Sequence, residues 1–316
     1  MARQARVEYP GALYHAITRG NQRQKIFKDD RDRTKYLELL SRLKELHSFR
    51  IHAYVLMPNH VHLLVESGQV PLSRIMQRLG SGYTQYFNSR HGLVGHLFQG
   101  RYKAILCDKD SYLLELSRYL HLNPVRIKAV KDPIDYIWSS YRGYVRGPER
   151  QKWLDTTDVL RQFSRNPRQA RKLYRRFVSE AIGQGHKREY YEVVDGRFLG
   201  DREFAEDIKA KTKTRRYVRV KIKPDLFLKL ACSVLGKQRE EVTGAGKARE
   251  RVRARQALSY VARNFTELSV ATLAQALSVD PTCVSRSVAR VEDRMADDKA
   301  LKKVVAKIVS AIENSK

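Results

Sequence analysis

Apolar and polar positions follow two different periods along the first part of the chain. Strand-like runs lie at residues 13–20, 49–67 and 101–107, of which the second is long enough for a hairpin, and helical spacing lies at residues 30–48, 72–92 and 111–123. The last helix must stop near Pro124, because proline cannot continue the hydrogen-bond ladder and disfavours helical geometry in the residue before it. The predicted order is β-α-β-β-α-β-α, a ferredoxin-like antiparallel sheet that is covered by helices.

The pattern changes twice further along the chain. Residues 146–235 are richer in charge and weaker in periodicity, whereas helical spacing dominates from about residue 247 onward. Two of these later helices are joined by the sequence LSVD at residues 277–280, which is the spacing of a helix-turn-helix. We therefore expect an α+β domain over residues 1–145, a basic linker or accessory region over residues 146–235, and an all-α helix-turn-helix domain over residues 236–316.

Positive charge is concentrated in one span of the middle region. Residues 209–223 carry eight basic residues, with valine, isoleucine and tyrosine between them and without an acidic residue. A solvated linker or an exposed strand would show the same composition. The lack of acidic residues favours a linker that follows DNA.

The composition of the whole chain also favours a nucleic-acid partner. The 316 residues include 62 Lys and Arg against 34 Asp and Glu, a net charge of +28, and such an excess attracts polyanions through counterion release. A membrane is the weaker candidate, since no run approaches the ~20 apolar residues of a transmembrane helix. The first residues lack the apolar segment of a signal peptide, and the three cysteines have neither disulfide nor zinc-site spacing. We expect a cytoplasmic protein that is associated with the nucleoid.

Two histidines interrupt the apolar sequence LMPNHVHLLV at residues 56–65. Alternate residues of a strand share a face, so His60 and His62 point one way while Val61 and Leu63 point the other way. Each neutral imidazole offers one lone pair, and two imidazoles on one face can bind the same divalent cation. Strand histidines that only form hydrogen bonds show the same His-x-His pattern, so the spacing alone leaves both interpretations open.

The helix predicted at residues 111–123 presents a second pair of candidates. Tyr119 and Asn123 are four residues apart and lie on one helical face, beside an apolar stripe that should pack on the sheet. A phenol and an amide oxygen are thus presented together. An ordinary amphipathic helix is the alternative, because 17 tyrosines allow many such pairs.

Four motifs make the first part of the chain resemble a known superfamily. The segments YHAITRGNQRQKIF, AYVLMPNHVHLLV, HLFQGRYKAILCD and SRYLHLNPVR are similar to those of the HUH single-tyrosine transposases, and specifically of the REP-associated tyrosine transposases. The resemblance covers about residues 8–145. It implies a ferredoxin-like nuclease domain that cleaves single-stranded DNA hairpins from repeated extragenic palindromes.

The resemblance also implies roles for the candidate residues. His60 and His62 would bind Mg²⁺ or Mn²⁺, Tyr119 would be the nucleophile, and Asn123 would be the third metal ligand, at a place where many compact insertion-sequence enzymes carry glutamine. A phenol has an ordinary pKa of about 10 and is a poor nucleophile at neutral pH, so a nearby cation helps by favouring the phenolate and by polarising the phosphate. Attack gives a 5′-phosphotyrosine and a free 3′-hydroxyl, and the covalent link allows DNA to be rejoined without a nucleotide cofactor.

Basic and aromatic side chains near these motifs are candidates for DNA contacts. Phosphate binding is expected of Arg19, Arg101, Lys103, Arg118 and Arg126, and stacking on bases is expected of Phe98 and Tyr102. A surface charge or a core ring would explain any one of them equally well. Relatives act as dimers or as monomers, so a homodimer is an open alternative.

The C-terminal part resembles a second family, over about residues 250–293. The sequence RQALSYVARNFTELSVATLAQALSVDPTCVSRSVARVED is similar to the DNA-binding domain of the DnaA-type replication initiators. The resemblance implies duplex binding, with one helix in the major groove and an arginine in the minor groove. By position, the groove-facing residues are Asp280, Thr282, Ser285 and Arg286, and the arginine is Arg255.

The chain departs from those initiators at Pro281, where they usually carry histidine. Proline is accepted in the first turn of a helix, so the fold should persist while a base contact is lost. We therefore expect a different duplex sequence or mainly phosphate binding. A helical cap on the first domain is the alternative for this module.

Three functions remain for the whole chain. The first is metal-dependent DNA nicking and strand transfer with an added duplex-binding module. The second is a non-cleaving DNA-binding regulator on the same fold, and the third is a replication initiator or relaxase of the same superfamily. The sequence favours the first, because both histidines, Tyr119 and Asn123 are all intact. Initiators and relaxases tend to be larger and to arrange their tyrosines differently.

Overall fold

The computed structural model describes residues 7–147, 151–184, 194, 197–200, 203–206, 208, 220–244, 246, 248–295 and 298–315. The chain divides into two compact units, Met1–Tyr217 and Val218–Lys316. Of the basic span predicted at residues 209–223, residues 209–219 lie outside the described part. Among the helices that are described, none has the length and apolarity needed to cross a bilayer.

The first unit is built on a five-stranded sheet with the order β2-β3-β1-β4-β5. The strands are β1 (Leu13–Arg19), β2 (Arg50–Met57), β3 (His60–Glu66), β4 (Lys103–Cys107) and β5 (Phe198–Leu199). Neighbouring strands from β2 to β4 are antiparallel, and β5 is parallel to β4. The predicted ferredoxin-like order is confirmed, and β5 extends it with an edge strand that the sequence pattern did not predict.

Helices cover both faces of this sheet. They are α1 (Asp30–His47), α2 (Leu72–His91), α3 (Lys109–Arg126), α4 (Tyr141–Val145), α5 (Thr157–Leu160) and α6 (Pro167–Ser179), with short 3-10 turns at Asn21–Arg23 and Pro133–Asp135. His62 pairs with Ile17, so these two side chains share one face of the sheet. Thr18 is the next residue of β1 and therefore points to the other face. Tyr36 of α1 lines a groove with Thr18, whereas Tyr119 of α3 lies beside His62. The α+β class is therefore realised with helices on each side.

A buried carboxylate joins α1 to α2. Asp32 is fully buried and accepts hydrogen bonds from Arg90 and from His91, the latter at 3.0 Å. Asp29 caps the start of α1 by accepting from the amide N–H of Asp32. A buried charge has to be paired, so this contact fixes α2 against α1.

The helix α3 extends beyond its predicted end. It runs to Arg126 and contains Pro124 in its last turn, whereas the sequence predicts an end at residue 123. So close to the C-terminus, the proline removes a single hydrogen bond of the ladder, and the amides of Ile127 and Lys128 still donate to carbonyls of the last turn. The helix therefore tolerates the proline for two more residues.

Helix α6 holds α3 through a buried hydrogen-bond network. The Nδ1 atom of His121 lies 2.7 Å from the hydroxyl of Tyr174, and its Nε2 atom lies 2.7 Å from Oγ of Ser140. The same tyrosine hydroxyl lies 2.9 Å from Oγ of Ser117, one helical turn earlier on α3. Two turns of α3 are thus tied to one side chain of α6.

The second unit is entirely helical in its described part apart from an isolated backbone pairing of Val220 with Thr266. Its helices are α7 (Pro224–Leu235), α8 (Arg239–Thr243), α9 (Arg249–Phe265), α10 (Val270–Ala276), α11 (Pro281–Met295) and α12 (Lys299–Glu313). The residues Leu277–Asp280 connect α10 to α11, at the place that the sequence predicted. The predicted middle region contributes α5 and α6 to the first unit and α7 to the second.

Acid should destabilise the first unit through His121. Burial lowers the pKa of His121 to about 3, whereas the unfolded chain titrates near 6.5. As the pH falls, the unfolded chain binds the proton first, so stability is lost between about pH 6.5 and 3 and is lower by about 3 kcal/mol at pH 4. Both tryptophans, Trp138 and Trp153, belong to the first unit, so their fluorescence follows its unfolding in urea.

A matched variant separates His121 from the other acid-sensitive groups. The change His121→Gln keeps a hydrogen-bonding side chain but removes the titration. We expect this variant to be less stable than the parent protein at pH 7 and to lose less stability between pH 7 and pH 4. Equal losses in the two proteins would contradict the assignment.

Candidate active site

The register of β1 and β3 brings three histidines together on one face of the sheet. His62 pairs with Ile17 and His60 pairs with Arg19, so His15 shares their face. The Nε2 atom of His15 lies 2.8 Å from Nδ1 of His62, and the two rings stack with their centroids 5.0 Å apart. The sequence analysis missed His15, because the partner that gives it meaning is 47 positions away.

His60 is held by the turn that precedes it. Pro58 and Asn59 connect β2 to β3, and Oδ1 of Asn59 lies 2.7 Å from Nδ1 of His60. The ring centroids of His60 and His62 are 4.9 Å apart. Since Nδ1 is engaged in both rings, Nε2 is the nitrogen that each ring has left for a ligand.

Burial keeps these imidazoles neutral at physiological pH. It lowers the pKa of His15 to about 3 and that of His60 to about 4, and the positive charges of Lys103 and Arg19 act in the same direction. The pKa of His62 is also well below its usual value, mainly through burial and then through its histidine neighbours. A neutral imidazole has a lone pair available for a cation.

Tyr119 of α3 lies against this cluster. Its side chain is 2% exposed, and its ring centroid is 6.1 Å from that of His15 and 6.4 Å from that of His62. The guanidinium of Arg126 lies over the phenol ring, 4.5 Å from the centroid, and its Nη1 atom donates to the carbonyl of Tyr119 at 2.8 Å. The structure thus brings Tyr119 to the predicted histidine His62 and places Arg126 over the Tyr119 ring.

Asn123 lies one helical turn beyond Tyr119. Its Nδ2 atom donates to the carbonyl of Tyr119 at 3.3 Å, which leaves the amide oxygen as its acceptor. Two neutral imidazoles and one amide oxygen are a donor set that fits Mn²⁺, and also Mg²⁺ when water completes its shell. Because all three donors are neutral, a cation held by them would keep its full charge towards a phosphate.

Three of the predicted basic residues are exposed where β1 ends and β4 begins. Arg19 is the last residue of β1, Lys103 is the first of β4, and Arg101 precedes it by two positions. Phe98 and Tyr102 line a groove of about 840 Å³ with Arg101 and Thr18, along one side of α2 and on the face of the sheet opposite the histidines. This end of the sheet therefore combines positive charge with aromatic rings.

Arg118 is not brought to the histidines. Its guanidinium donates to Glu115 and lies 4.1 Å from the ring centroid of Phe177 of α6. Sequence position alone placed it one residue from Tyr119, but adjacent residues of a helix point in different directions. Its observed contacts serve the packing of α6 against α3.

The predicted residues of the second unit fall into two groups. Asp280, Thr282, Ser285 and Arg286 are all exposed around the start of α11. Oδ1 of Asp280 accepts from the amide of Thr282 at 2.7 Å, so the aspartate caps the helix. Arg255 instead donates to the carbonyls of Val242 and Gly244 at the end of α8, which occupies its guanidinium.

A second group of potential metal ligands lies at the opposite end of β3. Ligand atoms of His52, Glu66 and Asp158 lie within 4.8 Å of one another. Lys109 donates to both carboxylates at 3.0 and 3.1 Å, and Arg50 bonds to Asp158 at 2.7 Å. These two cations pair with one oxygen of each carboxylate, Oε2 of Glu66 and Oδ2 of Asp158, so the group forms an ion-pair network.

The comparison with protein families agrees with the sequence motifs over residues 9–123. Residues 9–123 match the family model described as "Transposase IS200 like", from the residues before β1 to Asn123. A solved structure of a REP-associated tyrosine transposase bound to a REP hairpin is similar to the chain, with 18% identity over 49% of this chain and 90% of that chain and a TM-score of 0.40. Among curated proteins, none matches. The predicted resemblance to the single-tyrosine transposases is confirmed for residues 9–123. The likeness of the second unit to replication initiators stays a prediction.

Replacing Glu66 should separate the two candidate metal sites. Burial alone would raise the pKa of Glu66, but hydrogen bonds from His52 and Lys109 outweigh it and lower that pKa to about 2. The change Glu66→Gln removes a paired, half-buried charge and should lower the free energy of unfolding by about 2 kcal/mol in urea titrations. Binding of Mn²⁺, measured by electron paramagnetic resonance, should not change. Loss of Mn²⁺ binding in this variant would show that the network is itself a metal site.

Proposed function

We propose that the protein nicks and transfers single-stranded DNA through a covalent bond to Tyr119, since residues 9–123 match the family model of IS200-like transposases. The observation that carries this proposal is the position of the Tyr119 ring against His62, in a cluster of buried neutral imidazoles. A nucleophile and a set of neutral cation ligands meet there, on elements fixed by the sheet and by α6. Metal-assisted cleavage through a covalent intermediate uses both.

A divalent cation would be held by Nε2 of His60, Nε2 of His62 and the amide oxygen of Asn123. A bound Mg²⁺ or Mn²⁺ supplies Lewis acidity to the scissile phosphate. The protein contributes the orientation of these ligand atoms. Asn59 contacts Nδ1 of His60 and His15 contacts Nδ1 of His62, while the carbonyl of Tyr119 accepts a hydrogen bond from the side-chain amide of Asn123. Since these partners are fixed before DNA arrives, little reorganisation is needed at the moment of reaction.

Tyr119 carries the covalent step. Its hydroxyl oxygen attacks phosphorus and loses its proton, the bond from phosphorus to the 3′-oxygen breaks, and that oxygen leaves as a 3′-hydroxyl after taking up a proton. The 5′-phosphate stays on the tyrosine until another 3′-hydroxyl attacks it, which restores the phenol. Since Tyr119 is 2% exposed, the strand reaches it only when the covering side chains, Arg126 among them, move aside.

The substrate that suits this site is an unpaired strand next to a DNA hairpin. Arg19, Arg101 and Lys103 bind its phosphates, and Phe98 and Tyr102, in the groove on the other face of the sheet, offer rings on which unpaired bases stack. The net charge of +28 strengthens the capture of any DNA. The second unit binds duplex DNA through Asp280, Thr282, Ser285 and Arg286 at the exposed start of α11.

A regulator that binds DNA without cleaving it is the second candidate. The observation that favours it is the burial of Tyr119, because a nucleophile that is closed off in the free protein has to be uncovered before it can react. The two candidates share every DNA contact and differ only in the covalent step. That step is therefore the one to measure.

The change Tyr119→Phe should abolish the covalent step and leave DNA binding intact. Single-stranded hairpins with flanking sequence, labelled on the 3′ side of the expected cut, are incubated with Mn²⁺ or Mg²⁺ and run on a denaturing protein gel. We expect a labelled protein band that is lost with a chelator and that falls roughly a thousandfold or more in Tyr119→Phe and in His62→Ala.

The change Tyr112→Phe, on the same helix, is the matched control and should retain the band. Both phenylalanine variants should bind the hairpin like the parent protein. Hairpin binding without a labelled band in either metal would overturn the enzyme and leave the regulator.

The change Arg286→Ala should weaken duplex binding by roughly tenfold in fluorescence anisotropy, because it removes one exposed cation from the start of α11. The matched control is Lys307→Ala, which removes an equally exposed cation from α12 and should have little effect. Cleavage of single-stranded hairpins should be unchanged in both variants. Equal duplex binding by Arg286→Ala and the parent protein would contradict a recognition role for α11.

A further inference from the structure

We infer that His15 is a positioning residue, which accepts a hydrogen bond from Nδ1 of His62 and so leaves Nε2 of His62 free to bind the cation. The inference rests on the proposed function, since it needs His62 to be a metal ligand. His15 itself belongs to β1 and is not assigned to the cation. It acts only through the neighbouring ring.

The contact is direct and shielded from solvent. Nε2 of His15 and Nδ1 of His62 are 2.8 Å apart, and the two side chains are 0% and 4% exposed. The pairing of Ile17 with His62 and of His15 with Leu64 sets this distance through the backbone of two adjacent strands. Water therefore does not compete for either nitrogen, and a single proton lies between them.

The chemistry of imidazole decides which nitrogen holds that proton when a cation is bound. A neutral ring has one N–H and one lone pair, so His62 can give Nε2 to a cation only with its proton on Nδ1. Nε2 of His15 must then be the acceptor, which places the proton of His15 on its own Nδ1. His15 thus accepts a hydrogen bond from the tautomer of His62 that binds a metal, whereas without a cation the same nitrogen can act as the donor.

The second ring nitrogen of His15, Nδ1, determines where its proton lies when no cation is bound. Its Nδ1 atom is buried without a hydrogen-bond partner among the described residues. Without a cation, Nε2 of His15 can instead donate to Nδ1 of His62. Nδ1 of His15 is then an unpaired acceptor, and an unpaired buried acceptor is tolerated better than an unpaired donor. Cation binding therefore moves one proton, in net terms, from Nε2 of His62 to Nδ1 of His15, while both rings stay neutral.

The other histidine ligand shows the same design with a different partner. Nδ1 of His60 faces Oδ1 of Asn59 at 2.7 Å, and an amide oxygen can only accept. His60 is therefore fixed with its proton on Nδ1 and its lone pair on Nε2. His15 offers Nδ1 of His62 an acceptor, as Asn59 does for His60, but it comes from a strand that is distant in sequence and it can also donate.

Two substitutions at residue 15 test the role of the acceptor. The change His15→Leu fills the space without an acceptor, whereas His15→Gln retains an amide oxygen. Binding of Mn²⁺ to the full chain, followed by the resonance signal of free Mn²⁺ without DNA, is the readout. We expect His15→Leu to bind Mn²⁺ roughly tenfold or more weakly and His15→Gln to stay within about threefold of the parent protein.

Folding and DNA binding are the controls for these variants. Tryptophan fluorescence follows the first unit, and anisotropy of a labelled hairpin in the presence of a chelator follows DNA binding. Equal Mn²⁺ binding by His15→Leu and the parent protein would overturn the inference and leave the proposed function standing. Weak binding by both folded variants would overturn the acceptor role. If the parent protein itself bound no Mn²⁺, the proposed metal site would fail together with the inference.

The tautomer can also be observed directly in the parent protein, without any substitution. Nitrogen-15 correlation spectra of the histidine rings distinguish a protonated from an unprotonated ring nitrogen. We expect Mg²⁺ to move the protonated signal of His62 from Nε2 to Nδ1 and that of His15 from Nε2 to Nδ1. A His62 that keeps its proton on Nε2 in saturating Mg²⁺ would overturn the inference.

Discussion

The pairing of β1 with β3 is the constraint on which the candidate site depends. Its register places His15 against His62, and a slip of one residue would turn one of them to the other face of the sheet. The register is held by apolar side chains that point away from the site, among them Ala16 and Leu63, which are 0% and 1% exposed. The core on one face therefore fixes the chemistry on the other face.

The position of α3 is the second requirement, and the sheet alone does not provide it. Tyr174 of α6 bonds to Ser117 and His121, which bracket Tyr119 on the helix. Helix α6 lies beyond residue 123, where the family match ends. The support of the nucleophile therefore comes partly from a region whose sequence carries no family motif. Because His121 is buried and neutral, the same network makes this support sensitive to acid.

The sequence could predict the features that depend on local pattern. Alternation and helical spacing predicted β1 to β4 and α1 to α3, and they placed Tyr119 and Asn123 on one helical face. The partners of His15, Arg118 and Arg255 were not predictable, because a hydrogen bond across strands, a stacking contact with α6 and a cap on α8 all depend on tertiary structure. The metal and DNA roles themselves stay predictions, since neither spacing nor burial identifies a bound ion.

The central claim is that Tyr119 becomes joined to the 5′-phosphate of a cut strand. The most direct test is mass spectrometry of the protein after reaction with a hairpin, nuclease trimming and digestion with trypsin. The tryptic peptide of residues 119–126 contains one tyrosine, so an added nucleotide there identifies the attacking group. We predict that this peptide gains the mass of a nucleotide when the reaction contains Mn²⁺. Cut DNA with a free 5′-phosphate and an unmodified peptide, or a nucleotide on another tyrosine such as Tyr112, would contradict the account.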